Sequence, residues 1–194
     1  KYEYYKWRYT IDADFPAHAE DEQVILEFCG VDCFADYYLN GVRFGESDNA
    51  LIPHRFDVTG LCHEGKNLLE VVIRSPLLEA AKKQYDAYEW AYVNNHEALR
   101  VRKAPSQYGW DIMPRAVTAG IWRPVKVIVM TPNEFIDFYI TTLRADRSSA
   151  TLSVAFQFTT DTPRFEGLSV RITGRIGDET GFCDERPIRF CRGG

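Results

Sequence analysis

The 194-residue sequence predicts an all-β protein made of two successive antiparallel sandwiches. Three observations carry that expectation. Apolar and polar residues alternate in short runs, the period of a strand with one buried face. Asn40-Gly41 sits between two such runs, and a type I′ hairpin turn needs positive φ at both central positions, which this pair tolerates. Beyond Thr131-Pro132-Asn133 the alternation starts afresh and is stricter, which places a domain boundary there.

The elements follow in chain order. In Gln23–Phe28, Val24, Leu26 and Phe28 point one way, as a strand over a core requires. Ala35–Leu39 and Val42–Gly45 flank the Asn-Gly turn, and Leu68–Ile73 and Val125–Met130 supply further strands of the first sandwich. Leu77–Trp90 breaks the pattern, being rich in helix formers. Leu78, Ala81, Tyr85 and Tyr88 fall on one helical face, and Ser75-Pro76 supplies a start. A long loop then runs from Gln107 to Gly120 with Trp110 in its middle. A loop of that length inside a compact domain points to function.

In the second region Ile136, Phe138 and Ile140 are followed by Leu152, Val154, Phe156 and Phe158, then by Leu168, Val170 and Ile172. Polar residues such as Thr151, Ser153, Gln157, Arg171 and Thr173 lie between them. Half-buried strands of a second sandwich are expected. About four strands fit after residue 132, whereas an immunoglobulin-like sandwich needs about seven. The second domain is therefore expected to be truncated, with exposed strands that favour self-association.

Composition excludes several classes. With 45% hydrophobic and 26% charged residues the chain is globular in character. No apolar run approaches the ~20 residues of a membrane helix. A net charge of −5 without any basic block argues against nucleic-acid or anionic-membrane surfaces. Aromatic residues make up 14% of the chain, which suits both sheet cores and stacking on sugar rings.

Five cysteines, Cys29, Cys33, Cys62, Cys183 and Cys191, form no CxxC pair and read as buried free thiols. Cys29, Cys33, Cys62 and His63 match the spacing of no standard zinc module, so no metal or other cofactor is expected. No Asn-x-Ser/Thr sequon occurs, which favours a bacterial periplasm or cytoplasm over a lysosome. The chain opens without Met and stops at Gly194 soon after a strand-like stretch, so a fragment of a longer protein is expected.

Most catalytic patterns are missing: HExxH, G-x-S-x-G and G-x-G-x-x-G do not occur. Gly60-Leu-Cys-His-Glu-Gly-Lys-Asn67 comes near a phosphate loop. It ends in Asn where Ser or Thr would hold magnesium, and it leads into a strand, so a plain turn explains it better. His18, His54, His63 and His96 are scattered and form no triad with Ser or Cys.

One stretch is more specific. Arg100-Val-Arg-Lys-Ala-Pro-Ser-Gln-Tyr-Gly-Trp-Asp-Ile-Met-Pro-Arg-Ala-Val-Thr-Ala-Gly-Ile-Trp-Arg-Pro-Val125 resembles the signature of glycoside hydrolase family 2, in its β-mannosidase branch. Upstream, Phe28-Cys-Gly-Val-Asp32, Ala35–Gly41, Phe56-Asp-Val-Thr59 and Gly65-Lys-Asn67 resemble the family's sugar-binding jelly roll in the same order. The resemblance implies a jelly-roll, galactose-binding-like β-sandwich over residues 1–130, with a helical insertion near 77–90. It implies a partial immunoglobulin-like β-sandwich over 131–194.

The implied function is that of an N-terminal piece of a retaining exo-glycosidase acting on terminal β-mannosides. Its two catalytic glutamates would lie on a (β/α)8 barrel outside this chain, leaving no catalytic residue here and a fragment inactive alone. The implied partners are a mannoside-like carbohydrate and that barrel. Asp111 and Trp110 match the loop that reaches the sugar pocket, the carboxylate accepting hydroxyl hydrogen bonds and the indole facing a pyranose ring. A backbone-capping role for Asp111 is the competing expectation. Ile112-Met113 replaces the family's Trp-Gly, which bears on mannose preference. Arg115, Trp122, Arg123 and Pro124 are expected to hold the loop's return into the next strand. Other readings are a free-standing carbohydrate-binding module, another family 2 glycosidase such as a β-galactosidase, or a purely structural interaction domain.

Overall fold

A computed structural model describes residues 2–91, 95–131, 133–160, 162 and 164–189. The chain divides into two compact units, Lys1–Thr131 and Pro132–Gly194.

The first unit is a sandwich of two main sheets. One has four strands in the order β1 (Trp7–Phe15), β7 (Gly65–Ile73), β4 (Ala35–Leu39) and β5 (Val42–Ser47). The other has three, β6 (His54–Asp57), β2 (Gln23–Phe28) and β9 (Val125–Met130). A two-residue ladder joins β3 (Val31–Asp32) to β8 (Gly120–Ile121). The expected alternation sets the core: Val24, Leu26 and Phe28 meet Tyr37, Leu39, Leu69, Val71 and Ile73 between the sheets. At its centre the Phe28 and Tyr37 rings lie 4.3 Å apart, with Phe44 and Phe56 packed around them. The Tyr37 hydroxyl finds Ser47 Oγ at 2.7 Å, and burial pushes its pKa up to about 12.

Turn chemistry fixes the register. Asn40 and Gly41 both take positive φ, 51° and 82°, as the hairpin between β4 and β5 requires. Asn40 also works at a distance: its amide donates to Leu61 O and Asn67 Oδ1, and its carbonyl oxygen accepts from Leu68 N. Asn67 is buried near the start of β7 and bonds both His63 N and His63 O in the turn before it. The Gly60–Asn67 stretch is thus a turn leading into β7 and tied by the Asn67 side chain.

The expected helix over 77–90 is corrected to a short one, α1 (Pro76–Ala80). Its start is as expected, with Ser75 Oγ accepting from Leu78 N. The predicted face does not hold because little of it is covered among the described residues: Tyr85 lies under Arg100, but Tyr88 is 86% exposed, and Ala80, not Ala81, enters the packing with Cys33, Phe34 and Val101. An uncovered segment of this length does not sustain a helix on propensity alone. Asp86 N instead bonds Glu89 Oε2 in a separate turn.

The second unit holds two antiparallel hairpins, β10 (Glu134–Ala145) with β11 (Ala150–Thr159), and β12 (Ser169–Ile176) with β13 (Glu179–Pro187). Half-buried strands were expected, but most of these residues are exposed. Two-stranded hairpins lack the layers needed to enclose a core. Leu152 and Val154 of one and Ile172 and Phe182 of the other line an open groove of about 480 Å³. The observed class remains all-β: a sandwich first, then a smaller set of hairpins.

On the outer face of β2, Glu27 stands opposite Arg55 and Lys126 and bonds them at 2.6 and 2.8 Å. Lys126 first, then Arg55, hold its carboxyl down at about 2. The bridge therefore contributes fully above the ordinary carboxylate range and fades as pH falls toward 2. Glu27→Gln should cost about 1 kcal/mol at pH 7, since both cations are half exposed. Urea melts across pH should show the difference vanishing near pH 2. A difference constant with pH would contradict this account.

Candidate functional site

The long segment after residue 100 is compact rather than loose. It follows a 3-10 turn at His96–Arg100 and contains another at Pro105–Tyr108, then a tight hairpin in which Trp110 and Met113 exchange backbone hydrogen bonds of 3.0 and 3.2 Å. Asp111 and Ile112 form its two-residue tip. Gly109 enters the hairpin at φ +101°, a conformation open to glycine and little else. Met113, standing where the family pattern has Gly, carries no positive φ.

A buried ion pair anchors both ends of this segment. The Lys103 side chain has no exposed surface, and its Nζ lies 2.9 Å from both oxygens of Asp32, which is itself buried on β3. Lys103 Nζ also donates to the Thr118 carbonyl. The Thr118 hydroxyl lies 2.9 Å from Asp32 Oδ2 and 2.9 Å from Gln107 Oε1, so its single proton serves one of them at a time. Gln107 closes the ring by accepting from Thr118 N at 3.1 Å. One carboxylate thereby ties residues 103, 107 and 118 to the sandwich.

A second clamp is Arg115. It bonds both oxygens of Glu3 at 3.0 and 3.1 Å, pairs with Glu97 at 2.7 Å, and lies 5.4 Å from the centre of the Tyr108 ring. Trp122 N bonds Gly30 O, and Arg123 stacks on the Trp122 ring at 4.2 Å. A side chain at Gly30 would run into that indole. Pro124 O accepts from Cys29 N. Trp122 and Pro124 thus hold the return to the residues between β2 and β3 and Arg123 covers the indole, whereas Arg115 ties the segment to Glu3 and Glu97 instead.

What the clamps display is the tip. Trp110 is 58% exposed and Ile112 89% exposed. The Asp111 carboxylate makes no hydrogen bond or ion pair with any described residue, and none of the loop's own N–H groups is capped by it. Behind the hairpin, Leu99, Pro105, Tyr108, Trp110 and Met113 line a largely apolar cavity of about 460 Å³.

The structure disperses the cysteines. Cys33 is buried beside Phe34, and burial pushes its thiol up to about 12. Cys62 packs against the main core, Cys29 leans on Glu27, and Cys183 is exposed, contrary to expectation. Cys191 lies outside the described residues. Among the described residues no group of three or more His, Cys, Asp or Glu side chains is placed to hold a metal.

Lys103, Asp32, Gln107 and Thr118 were not singled out from the sequence. Asp32 and Lys103 both stood inside family-like motifs, but 71 residues separate them and no spacing rule joins them.

Comparison with known proteins follows the same lines. Residues 1–123 match the family model described as glycosyl hydrolase 2 galactose-binding domain-like. Beta-mannosidase B of Thermothelomyces thermophilus is 34% identical over 152 residues, covering 77% of this chain and 18% of that protein. Beta-mannosidase B of Aspergillus clavatus is 39% identical over 129 residues, 64% of this chain and 15% of that protein. The chain thus spans less than a fifth of the length of these curated relatives. The crystal structure of a β-D-mannosidase from Dictyoglomus thermophilum superposes with a TM-score of 0.75 at 28% identity, over 95% of this chain and 22% of that one. The chain belongs to glycoside hydrolase family 2, through the galactose-binding-like domain of that family.

Proposed function

We propose that this chain is the N-terminal, non-catalytic part of a β-mannosidase-like retaining exo-glycosidase, and that the 110–113 hairpin is its contribution to the sugar pocket. The catalytic pair of carboxylates would lie on a (β/α)8 barrel outside residues 1–194. Residues 132–194 are read as the opening strands of an immunoglobulin-like sandwich. The names of the relatives support the substrate class, a terminal β-mannoside.

The observation that carries the reading is the unbonded Asp111 carboxylate on a doubly clamped hairpin. A carboxylate held clear of backbone donors keeps its acceptor oxygens for ligand hydroxyls, and charge-assisted bonds of that kind are stronger than neutral ones. The neighbouring indole offers an apolar face to a pyranose. A tip fixed through Lys103 and Arg115 loses little freedom on binding, which favours affinity. Ile112 makes the adjoining wall aliphatic, so hydroxyl recognition falls on Asp111 rather than on its neighbour.

Three outcomes are expected. In the full-length parent, Asp111→Ala should lower kcat/KM ten- to a hundredfold, about 1.5–3 kcal/mol for a charged hydrogen bond, with Tm unchanged. A fallen Tm with intact kinetics would instead return Asp111 to a capping role. Lys103→Met should destabilise residues 1–194 by about 3–5 kcal/mol, because it strands the Asp32 charge in the interior. Pairing it with Asp32→Leu should recover most of that loss in urea melts, and a double variant no better than the single one would disprove the coupling. Calorimetry of residues 1–194 with mannose and manno-oligosaccharides should show no binding tighter than millimolar, and the chain alone should hydrolyse no β-mannoside. Micromolar binding would favour a free-standing carbohydrate-binding module.

A further inference from the structure

The two main sheets of the sandwich are unequal, four strands against three, and the inequality leaves a seam. β1 closes one side of the larger sheet and β9 one side of the smaller, each pairing with a single neighbour among the described strands. Along β1, Arg8, Thr10, Asp12 and Asp14 alternate with Trp7, Tyr9, Ile11, Ala13 and Phe15. The second set stands opposite Ile73, Val71, Leu69, Asn67 and Gly65. Directly opposite residues share a face of the sheet. Ile73, Val71 and Leu69 are core residues, and Phe15 and Ala13 pack against that same core.

Trp7, Tyr9 and Ile11 therefore face inward, yet they are 40%, 40% and 61% exposed. β9 repeats the pattern. Val125, Val127 and Val129 stand opposite the fully buried Phe28, Leu26 and Val24, but each keeps part of its surface open. Both rows look into the sandwich; the Tyr5 ring meets the Trp7 edge and Gly120 lies beside the Tyr9 hydroxyl, yet the row from Trp7 to Ile11 stays open among the described residues.

We propose that a fourth strand for the smaller sheet, supplied by polypeptide outside residues 1–194, pairs with the free edge of β9 and lays apolar side chains beneath Trp7, Tyr9 and Ile11. Sandwiches of this kind commonly hold eight strands in two sheets, and an open edge beside an apolar row is a pairing site. Curated relatives are more than five times as long as the stretch they share with this chain, so polypeptide to supply the strand is available in this family. Its inward positions would be aliphatic and its outward ones polar, because the outer face beside it carries Glu27 and Lys126. A second copy of this chain fits less well. Its β9 would arrive with a valine row already committed to its own core.

Hydrogen exchange on residues 1–194 and on the full-length parent tests this. In an antiparallel edge strand alternate amides point away from the neighbour. In β9 those amides should exchange at least about a hundredfold more slowly in the parent. Ile11→Lys supplies the second readout. It should move the Tm of residues 1–194 by no more than about 2 °C, and that of the parent by more than about 5 °C. Equal exchange of β9 in the two proteins would overturn the proposal. Protection in residues 1–194 that rises with protein concentration would overturn it in favour of a second copy.

Discussion

The Lys103–Asp32 pair decides where everything beyond the core can be. A lysine ammonium without exposed surface costs several kcal/mol in lost hydration, and it persists only where its donors are met. Here Asp32 Oδ2 and the Thr118 carbonyl accept from it, while Asp32 Oδ1 lies at ion-pair distance. The demand is geometric as well as energetic. Because Lys103 starts the segment and Thr118 ends it, satisfying one buried charge forces the two ends together. The residues between them form a closed loop, a 3-10 turn followed by the 110–113 hairpin.

The sandwich supplies what that pair needs, a fixed wall. Asp32 sits on a two-residue strand paired with Gly120-Ile121, directly after the segment it holds. Val31 and the Phe28 ring fix that strand from within the core. Asn40 and Asn67 perform the corresponding task elsewhere, joining the β4–β5 hairpin to the start of β7 and the turn that leads into it through side-chain amides. Backbone polar groups in turns must be paired if they are to be buried, and here two asparagines pair several at once. The parts of the chain that resemble family motifs are, in large measure, these polar fasteners.

Strands with one wet face were legible in the sequence. Gln23–Phe28 and Val125–Met130 were read at the residues where they occur, because period-two alternation is imposed by burial on one side alone. β1 was not read, although Trp7, Tyr9 and Ile11 alternate with Arg8, Thr10 and Asp12 as regularly as any other strand. The helix was overextended for a physical reason: propensity is local, and whether Tyr88 has anything to pack against is not. Asp111 and Trp110 were found by resemblance, and the structure adds what sequence could not, a carboxylate without a described partner. The ion pair behind them was illegible because contacts between residues 71 positions apart leave no periodic trace.

The hairpin separates stability from chemistry. Its ladder closes through backbone atoms of Trp110 and Met113, and its base is held by Lys103, Thr118 and Arg115. None of those bonds uses the side chains of Asp111 or Ile112. Both can therefore change without disturbing the sandwich, and substitution at such exposed positions ordinarily costs under half a kcal/mol. That freedom accounts for Ile112 standing where the family pattern has Trp, and Met113 replaces Gly at a ladder position that needs no positive φ. It also means that Asp111 contributes nothing to the fold that another residue could not. Its carboxylate sits on a loop anchored through Lys103, Thr118 and Arg115, clear of every described donor, and is held by no bond within the fold.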